Sequence, residues 1–456
     1  MYKRISILIT ILLLVCVQVK VYSIELKVEL DKDLDGLTNK KCAETNQCGL
    51  NENLFDYTHS KTEVSVIDNI KIYRIKQNND SRYNVGYSYG KSIIMNNPDY
   101  AKDLKSFLNT FRELQSNYKL DEVLTKIAKS LPCWITQEMN GLASALSTNE
   151  DNITITYEDI VLLNTVVLWT KLPQKDPKAP PAAPTSITPI KKNKDKLESS
   201  LAAISNLSDQ TSFIISLDKT LLTNDSTVVI RNYSRKFSNF VNKTESILIF
   251  DLDNVSFMTI GLEGMMCALS GINDNGVSIH TIQASNQDDE RIIGATPPTI
   301  LTRMALETST TAQEAQQTLN HVKPSLEQAF VIADKDNQFI INTEIKNDTK
   351  DIMNENVTQQ KIIIYNFNTI NKNQSITNYF ESLNTKLSLE DIINKFNQEY
   401  SSVNPKEKNI FNTIYDIKDK SIWYQIPNIN ENEPGYHFIN IGFGPEKAKE
   451  EVTPDE

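Results

Sequence analysis

The chain has 456 residues, with 47 Lys and Arg against 58 Asp and Glu, giving a net charge of -11 at pH 7. That balance argues against nucleic-acid binding, because phosphate recognition needs a basic face that releases counterions. With 39% hydrophobic and 23% charged residues, the composition excludes a disordered chain and fits one large folded unit with appendages.

At the start, Lys3 and Arg4 precede an apolar run from Ile5 to Val15, and small Ser23 lies two residues after Val21. This is the layout of a secretory signal peptide over residues 1–23, and the run is short for a membrane span. Bulky Val15 argues against lipid attachment at Cys16; the alternative to cleavage is an uncleaved anchor. No later stretch is apolar enough to span. The expectation is a protein of the secretory pathway, secreted or lumenal (periplasmic if bacterial), with no stable membrane span after signal removal. Cys42, Cys48, Cys133 and Cys267 then remain, an even number that permits three pairings, Cys42 with Cys48 being the most local. The alternative is buried free thiols at Cys133 and Cys267. Among several N-x-S/T sequons are Asn79, Asn152, Asn224, Asn242 and Asn347.

Residues 24–66 form an acidic, cysteine-containing segment. In DKDLDGLTNKKCAE, the carboxylates of Asp31, Asp33 and Asp35 with Gly36 match the opening of a calcium loop. Its twelfth position is Cys42, which cannot supply two oxygens, so a solvated acidic turn competes with calcium binding. Calcium is the one cofactor with any signal.

Residues 67–170 begin with a strand from Asp68 to Ile75, then RYNVGYSYGKSI, which reads as a glycine-punctuated turn. Helical spacing runs from Ala101 to Ser130 and on through WITQEMNGLASALS. TYEDIVLLNTVVLW is a further helix, with Thr156 as N-cap and Asp159 three residues on. Residues 171–209 are proline-rich and then basic, the composition of an exposed linker. Residues 210–445 are strand-rich at first: FIISLD, STVVIRNY, SILIFD and SFMTIGL, then GINDNGVSIHTI as a turn and strand. Helices follow at PPTILTRMALETS and TAQEAQQTLNHV, strands at AFVIADKDNQFIINTEI, and a hairpin at TIYDIKDKSIWYQI. Residues 446–456 are an acidic tail. Strands, helices and strands again suggest layered α+β with helices covering antiparallel sheets.

The four histidines, His59, His280, His321 and His437, lack metal-ligand spacing, and HExxH, CxxC, P-loop and GxSxG motifs are absent. His280, in a strand beside Ser278, reads as a satisfied structural histidine. Pairing TSFIISL with STVVIRN as a hairpin sets residues near Thr211 opposite residues near Asn232, about 5 Å apart at Cα. Thr211, Ser212, Arg231 and Asn232 then share one patch. A nucleophile at a strand start, faced by a cation and an amide donor, is workable for acyl transfer. Hydroxyls and an arginine at strand ends are also commonplace.

GYSYGKSI, QEMNGLASALS, YEDIVLLNT, GLEGMMCALSGINDNGVSI, PPTILTRMALETSTTAQEA and AFVIADKDNQFIINTE, in that order, resemble the acyl-coenzyme A:6-aminopenicillanic acid acyltransferase family. QTSFIISLDKTLLTNDSTVVIRNYS is similar to the corresponding hairpin of the related acid ceramidase-like amidases. The resemblance implies an N-terminal-nucleophile hydrolase, a four-layer αββα sandwich of antiparallel sheets. Such precursors cleave themselves before a cysteine whose thiol attacks an amide while the freed α-amino group serves as base, so no histidine is required. The implied ligand is a small acyl or amide compound; oligomeric state is left open.

Laid on the family pattern, the nucleophile position is Gln210, followed by Thr211, Ser212 and Phe213. Arg231 and Asn232 match the second strand, but Ser234 replaces its carboxylate. The oxyanion asparagine falls near Ile282, with Gln283 beside it. An amide side chain is no nucleophile, so the resemblance implies a degenerate centre; the alternative is an active amidase or acyltransferase using Thr211 or Ser212. Gly271, Asn273, Gly276 and Arg303 match as turn and packing residues, and Cys267, inside MMCAL, reads as core.

Overall fold

The structure, a computed structural model, describes residues 60–114, 120–147, 152–166, 213–234, 239–283, 296–322, 328–346, 349–355, 362–366, 379, 385–400, 410–427 and 436–443. The signal segment, the Asp31–Asp35 loop, the Cys42/Cys48 pair, the linker at 171–209, Gln210, Thr211, Ser212 and the acidic tail lie outside these residues.

Strands β1 (Lys61–Ile67) and β2 (Ile70–Lys76) form a hairpin. Asp68 and Asn69 turn it, at φ 47° and 69°, left-handed values that short polar side chains tolerate. Asp68 is therefore the turn, not the strand start, and the fold begins upstream of residue 67. The segment expected to be a turn is the helix α1 (Arg82–Asn96), with Ser81 accepting from Asn84 N. Its glycines made it read as a turn, yet they serve close packing. A methyl group on Gly86 would overlap the carbonyl oxygen of Glu138, and one on Gly141 that of Tyr83. Gly90 faces Ala145 Cβ at 2.6 Å from an added methyl. α1 and α4 (Cys133–Leu146) thus touch backbone to backbone.

The predicted helical stretch from Ala101 divides into α2 (Tyr100–Leu114) and α3 (Leu120–Ser130). α5 (Tyr157–Val166) carries the expected capping box: Asp159 N donates to Thr156 Oγ1 at 3.2 Å, and Thr156 N to Asp159 Oδ2 at 2.9 Å. β3 (Phe213–Leu217) and β4 (Val228–Ser234) follow, then α6 (Asn239–Thr244), β5 (Glu245–Asp251) and β6 (Ser256–Leu262). β7 (Ser270–Asn273) turns at Gly276, φ 81°, into β8 (Ser278–Gln283). Helices α7 (Pro298–Thr308) and α8 (Ala312–His321) lead to β9 (Gln328–Ala333) and β10 (Gln338–Lys346). β11 (Thr349–Glu355), β12 (Ile362–Asn366), α9 (Leu389–Tyr400) and β15 (Tyr436–Gly442) had no sequence prediction; β13 (Ile410–Asp416) and β14 (Ser421–Pro427) are the expected hairpin.

Nine strands run in the order β1-β2-β5-β6-β7-β8-β9-β10-β11, and six in the order β12-β3-β4-β13-β14-β15. Named strand pairings are antiparallel except β2 with β5, which is parallel. That junction joins the N-terminal hairpin to strands beyond the linker, so both parts of the chain share one sheet.

Three cores fix the layers. One face of the nine-stranded sheet (Tyr73, Leu248, Phe250, Ile279, Phe330) packs under α1–α5, α7 and α8. Its other face (Ile247, Ile249, Met258, Ile282, Val331) meets Ile214, Val229, Tyr415 and Tyr424 of the six-stranded sheet. The outer face of that second sheet (Phe213, Ile215, Ile230, Ile414) packs on Ile392 and Ile393 of α9. The alternation of faces along each strand yields four layers, helix, sheet, sheet and helix: the αββα sandwich that the resemblance implies.

The helical layer is held by a buried ionic cluster. Arg303 in α7 pairs with Glu138 in α4 at 3.0 Å, both fully buried, and with Glu307 at 3.3 Å. Arg82 in α1 joins them, 2.8 Å from Glu138 and also paired with Glu307. The Arg303 guanidinium lies 4.3 Å from the Phe250 ring centre and 4.8 Å from that of Phe257, a cation on aromatic faces where Lys would fit less well.

Candidate functional site

The site expected from the sequence lies at the head of β3. In the observed register Phe213 pairs with Asn232 and Ile214 with Arg231. Asn232 stands opposite Phe213, two residues beyond Thr211, so the expected hairpin forms while Thr211 and Ser212 themselves lie outside the described residues. The connection at 218–227 sets this register. It holds a 3-10 turn over Lys219–Leu221 and a left-handed Asp225 at φ 51°, and it ends with Leu217 paired to Val228.

Arg231 and Asn232 do not share one patch, because adjacent strand residues point to opposite faces. Arg231 faces the space between the sheets. Its Nη1 donates to Phe213 O at 3.3 Å and to Asn232 O at 2.8 Å, and its Nη2 reaches Thr281 O, in β8 of the opposite sheet, at 3.2 Å. One side chain thereby bridges β3, β4 and β8. Asn232 lies on the outer face, in a row of buried amides: its Nδ2 donates to Asn412 Oδ1 at 2.6 Å, and Asn412 Nδ2 donates to Gln425 Oε1. Phe411 and Tyr233, and Ile410 and Ser234, continue the β13 pairing, so the backbone at Ser234 is strand.

Ile282 is buried on the inward face among Ala329, Val331 and Met258, and an alkyl group there donates no hydrogen bond. Two strands away, on β10, Asn342 pairs with Ala329 of β9, which pairs with Ile282. Its Oδ1 is buried and has no hydrogen-bond partner among the described residues. Gln283 falls at the alternate position of β8, paired with Gln328.

Residues that sequence reasoning did not select also reach this space. Thr413 pairs with both Arg231 and Tyr424 in register, and its hydroxyl donates to Arg231 O at 3.3 Å. Tyr424 Oη donates across the gap to Glu245 Oε1, at the first position of β5. Burial pushes the Glu245 carboxyl up to about 7, against a lowering contribution from the Tyr424 hydrogen bond. The signal was a polar residue at an inward position of an otherwise apolar strand, visible only once the face was known.

His280, fully buried, sits 2.5 Å from Ser278 Oγ through Nε2 and edge-on to Tyr415 with ring centres 4.4 Å apart. Its Nδ1 has no partner among the described residues. Burial, with the Arg231 charge second, pushes it well below the ordinary histidine range. It is buried as a structural histidine would be, but the expectation of a satisfied one holds only for Nε2, since Nδ1 is left unpaired among the described residues. No disulfide joins Cys133 to Cys267. Burial pushes the Cys267 thiol up to about 12; it donates to Asn164 O at 3.3 Å while Asn164 Oδ1 accepts from Met266 N and Cys267 N. A thiol so placed is core, not nucleophile.

Among the described residues no group of three or more His, Cys, Asp and Glu could hold a metal ion, and no helix is long and apolar enough to cross a membrane.

Residues 221–431 match the family model described as acyl-coenzyme A:6-aminopenicillanic acid acyl-transferase. No curated protein matches the chain. Similar solved structures include the Caenorhabditis elegans ortholog of N-acylethanolamine-hydrolyzing acid amidase. It is 14% identical over 45% of this chain and 92% of that one, with TM-score 0.34. Penicillin V acylase from Agrobacterium tumefaciens is 12% identical over 50% of this chain and 86% of that one, with TM-score 0.33. A mutant of the conjugated bile acid hydrolase from Clostridium perfringens is 12% identical over 51% of this chain and 92% of that one, with TM-score 0.34. Across residues 221–431, which include Arg231, Asn232, Ser234 and Ile282 but begin after Gln210, Thr211 and Ser212, the chain resembles the acyl-coenzyme A:6-aminopenicillanic acid acyl-transferase family.

Proposed function

We propose that the protein is a secreted or lumenal member of the hydrolase-like group with a degenerate amide-cleaving centre, retained to bind a small acyl or amide compound between its sheets. The observation that carries this reading is Gln210 at the family's nucleophile position. A primary amide has no ionisable proton donor to become an attacking anion and, at a new N-terminus, nothing for the α-amino group to activate. Ser234 in place of the carboxylate, and no asparagine near Ile282, remove a further charge and an amide donor that such chemistry uses. Arg231 supports a scaffold role, since its donors hold three main-chain carbonyls.

The mature protein should then run as one chain on a denaturing gel, with no new N-terminus in the 210–212 region. The variant Gln210→Cys with Ser234→Asp should fold with unchanged cooperativity, since apolar walls do not depend on the nucleophile.

A second reading rests on Thr211 and Ser212 following Gln210 directly: hydroxyl nucleophiles serve at N-termini elsewhere. Edman sequencing that finds Thr211 or Ser212 at the head of a fragment, together with amide hydrolysis abolished by Thr211→Ala or Ser212→Ala, establishes this reading and overturns the first. A cut within 171–209 without hydrolysis is external proteolysis of the linker and leaves the first reading standing.

A further inference from the structure

The fold sorts the asparagine sequons into two groups. Asn79, Asn152 and Asn254 are exposed, and Asn79 and Asn152 occupy turn tips with φ 59° and 51°. Asn79 lies between β2 and α1, Asn152 between α4 and α5, and Asn254 between β5 and β6. Asn79 N donates to Asp253 Oδ1 at 2.8 Å, so two of these turns adjoin at one end of the nine-stranded sheet. Arg231 and Glu245 mark the other end of the sandwich, since Glu245 opens the strand that Asp251 closes.

The remaining described sequons are tied into the fold through Asn224, Asn232 and, at Asn242, the sequon's Thr244. Asn232 is 1% exposed and bonded to Asn412. Asn224 Oδ1 accepts from Ser226 N, and the buried Ser226 hydroxyl donates to Asp416 Oδ1 at 2.5 Å. In the sequon at Asn242 the Thr244 side chain is 2% exposed and donates to Phe240 O.

We propose that Asn79, Asn152 and Asn254 are N-glycosylation sites and that Asn224, Asn232 and Asn242 are not carried as glycosylated residues in the folded protein. This rests on the secretory reading above. The donor is a lipid diphosphate-linked oligosaccharide: a bond forms between asparagine Nδ2 and the anomeric carbon, the anomeric C–O bond breaks, the lipid diphosphate leaves, and Nδ2 loses one proton. A glycan at a turn tip extends into solvent and displaces nothing. At Asn232 it would have to enter the buried amide row, taking from Asn412 Oδ1 its donor, and the sheet could not close. The Ser81 hydroxyl that completes the Asn79 sequon still caps α1, because the transfer does not modify it.

The full chain is to be expressed in a eukaryotic secretory host in two forms, one with its own leader and one with an exogenous signal peptide that forces translocation. Folded protein, selected by resistance to limited proteolysis, is digested and its sequon peptides are compared before and after enzymatic deglycosylation, which converts occupied Asn to Asp. Conversion at Asn79, Asn152 and Asn254, with unmodified Asn224, Asn232 and Asn242, is expected in the forced form. Loss of the corresponding mass in Asn79→Gln, Asn152→Gln and Asn254→Gln confirms each site. Unmodified peptides at the three exposed sites of the forced form, or glycan on Asn232 in folded protein, overturn the inference. Failure of only the native-leader form to enter the pathway sinks the secretory reading and leaves the site assignment supported.

Discussion

The guanidinium of Arg231 in one sheet donates to the main-chain carbonyl of Thr281 in the other, at 3.2 Å. A charge buried between two sheets is tolerated because carbonyl dipoles from three strands face it, and removing it leaves those carbonyls unpaired. Arg231→Met should destabilise the fold by ~2–4 kcal/mol, read as a lower urea midpoint. A midpoint equal to wild type would show that the bridge contributes nothing. Arg231→Lys keeps the charge but not the fork, and should lie between the two.

Gly86→Ala and Gly442→Ala make a matched pair. An added methyl at Gly86 overlaps the Glu138 carbonyl, and at Gly442 it meets nothing within 4 Å. The first should cost ~3 kcal/mol by forcing α1 away from α4, and the second should stay within about 0.5 kcal/mol. Thermal unfolding of both variants checks this; equal midpoints would contradict close helix contact.

Glu138 tests the ionic cluster. Glu138→Ala leaves the buried Arg303 and its neighbour Arg82 to share Glu307 alone and should cost ~3–5 kcal/mol. The double variant Glu138→Leu with Arg303→Met removes both charges and should recover much of that loss. Denaturant titration of the singles and the double decides it: additive losses would mean the two residues do not act as a pair.

Glu245 and His280 set opposing pH dependences. The native Glu245 carboxyl holds its proton up to about 7, whereas an unfolded glutamate releases it near ~4.3. Its contribution to stability is present below that unfolded value and is lost as pH rises to about 7. His280 is depressed in the fold, so its contribution is present above the unfolded ~6.5 and is lost as pH falls below it. Glu245→Gln should leave stability declining toward acid, and His280→Gln should leave it declining toward neutrality. Stability measured between pH 4.5 and 7.5 in each variant tests the signs, and identical profiles would refute both assignments.

Cys267 should resist a thiol reagent in the native protein and react fully in denaturant, because burial holds its thiol up to about 12. Native labelling at Cys267, located by peptide mass, would contradict that placement.

Strand and helix periodicity, the Thr156 to Asp159 capping box and the hairpin at β13 and β14 were legible in the sequence, because each depends on residues close together in the chain. The GYSYG helix was not. Glycine weakens an isolated helix, and only the facing backbone of α4 makes those glycines favourable. β12 was missed, since it pairs with β3, which is distant in sequence; β11 pairs with the strand just before it but reads TKDIMNE, too polar for a strand alternation, and β15 pairs with β14.

For the candidate site, the sequence by itself determined which residue types stand at the family's positions: Gln210, Arg231, Asn232, Ser234 and Ile282. The tertiary structure alone decided which of these meet. A strand turns successive residues to opposite faces, so Arg231 enters the inter-sheet space and its neighbour Asn232 leaves it. Two sheets brought together by apolar burial then supply Arg231 with the Thr281 carbonyl and Tyr424 with Glu245, partners that no spacing along the chain foretells.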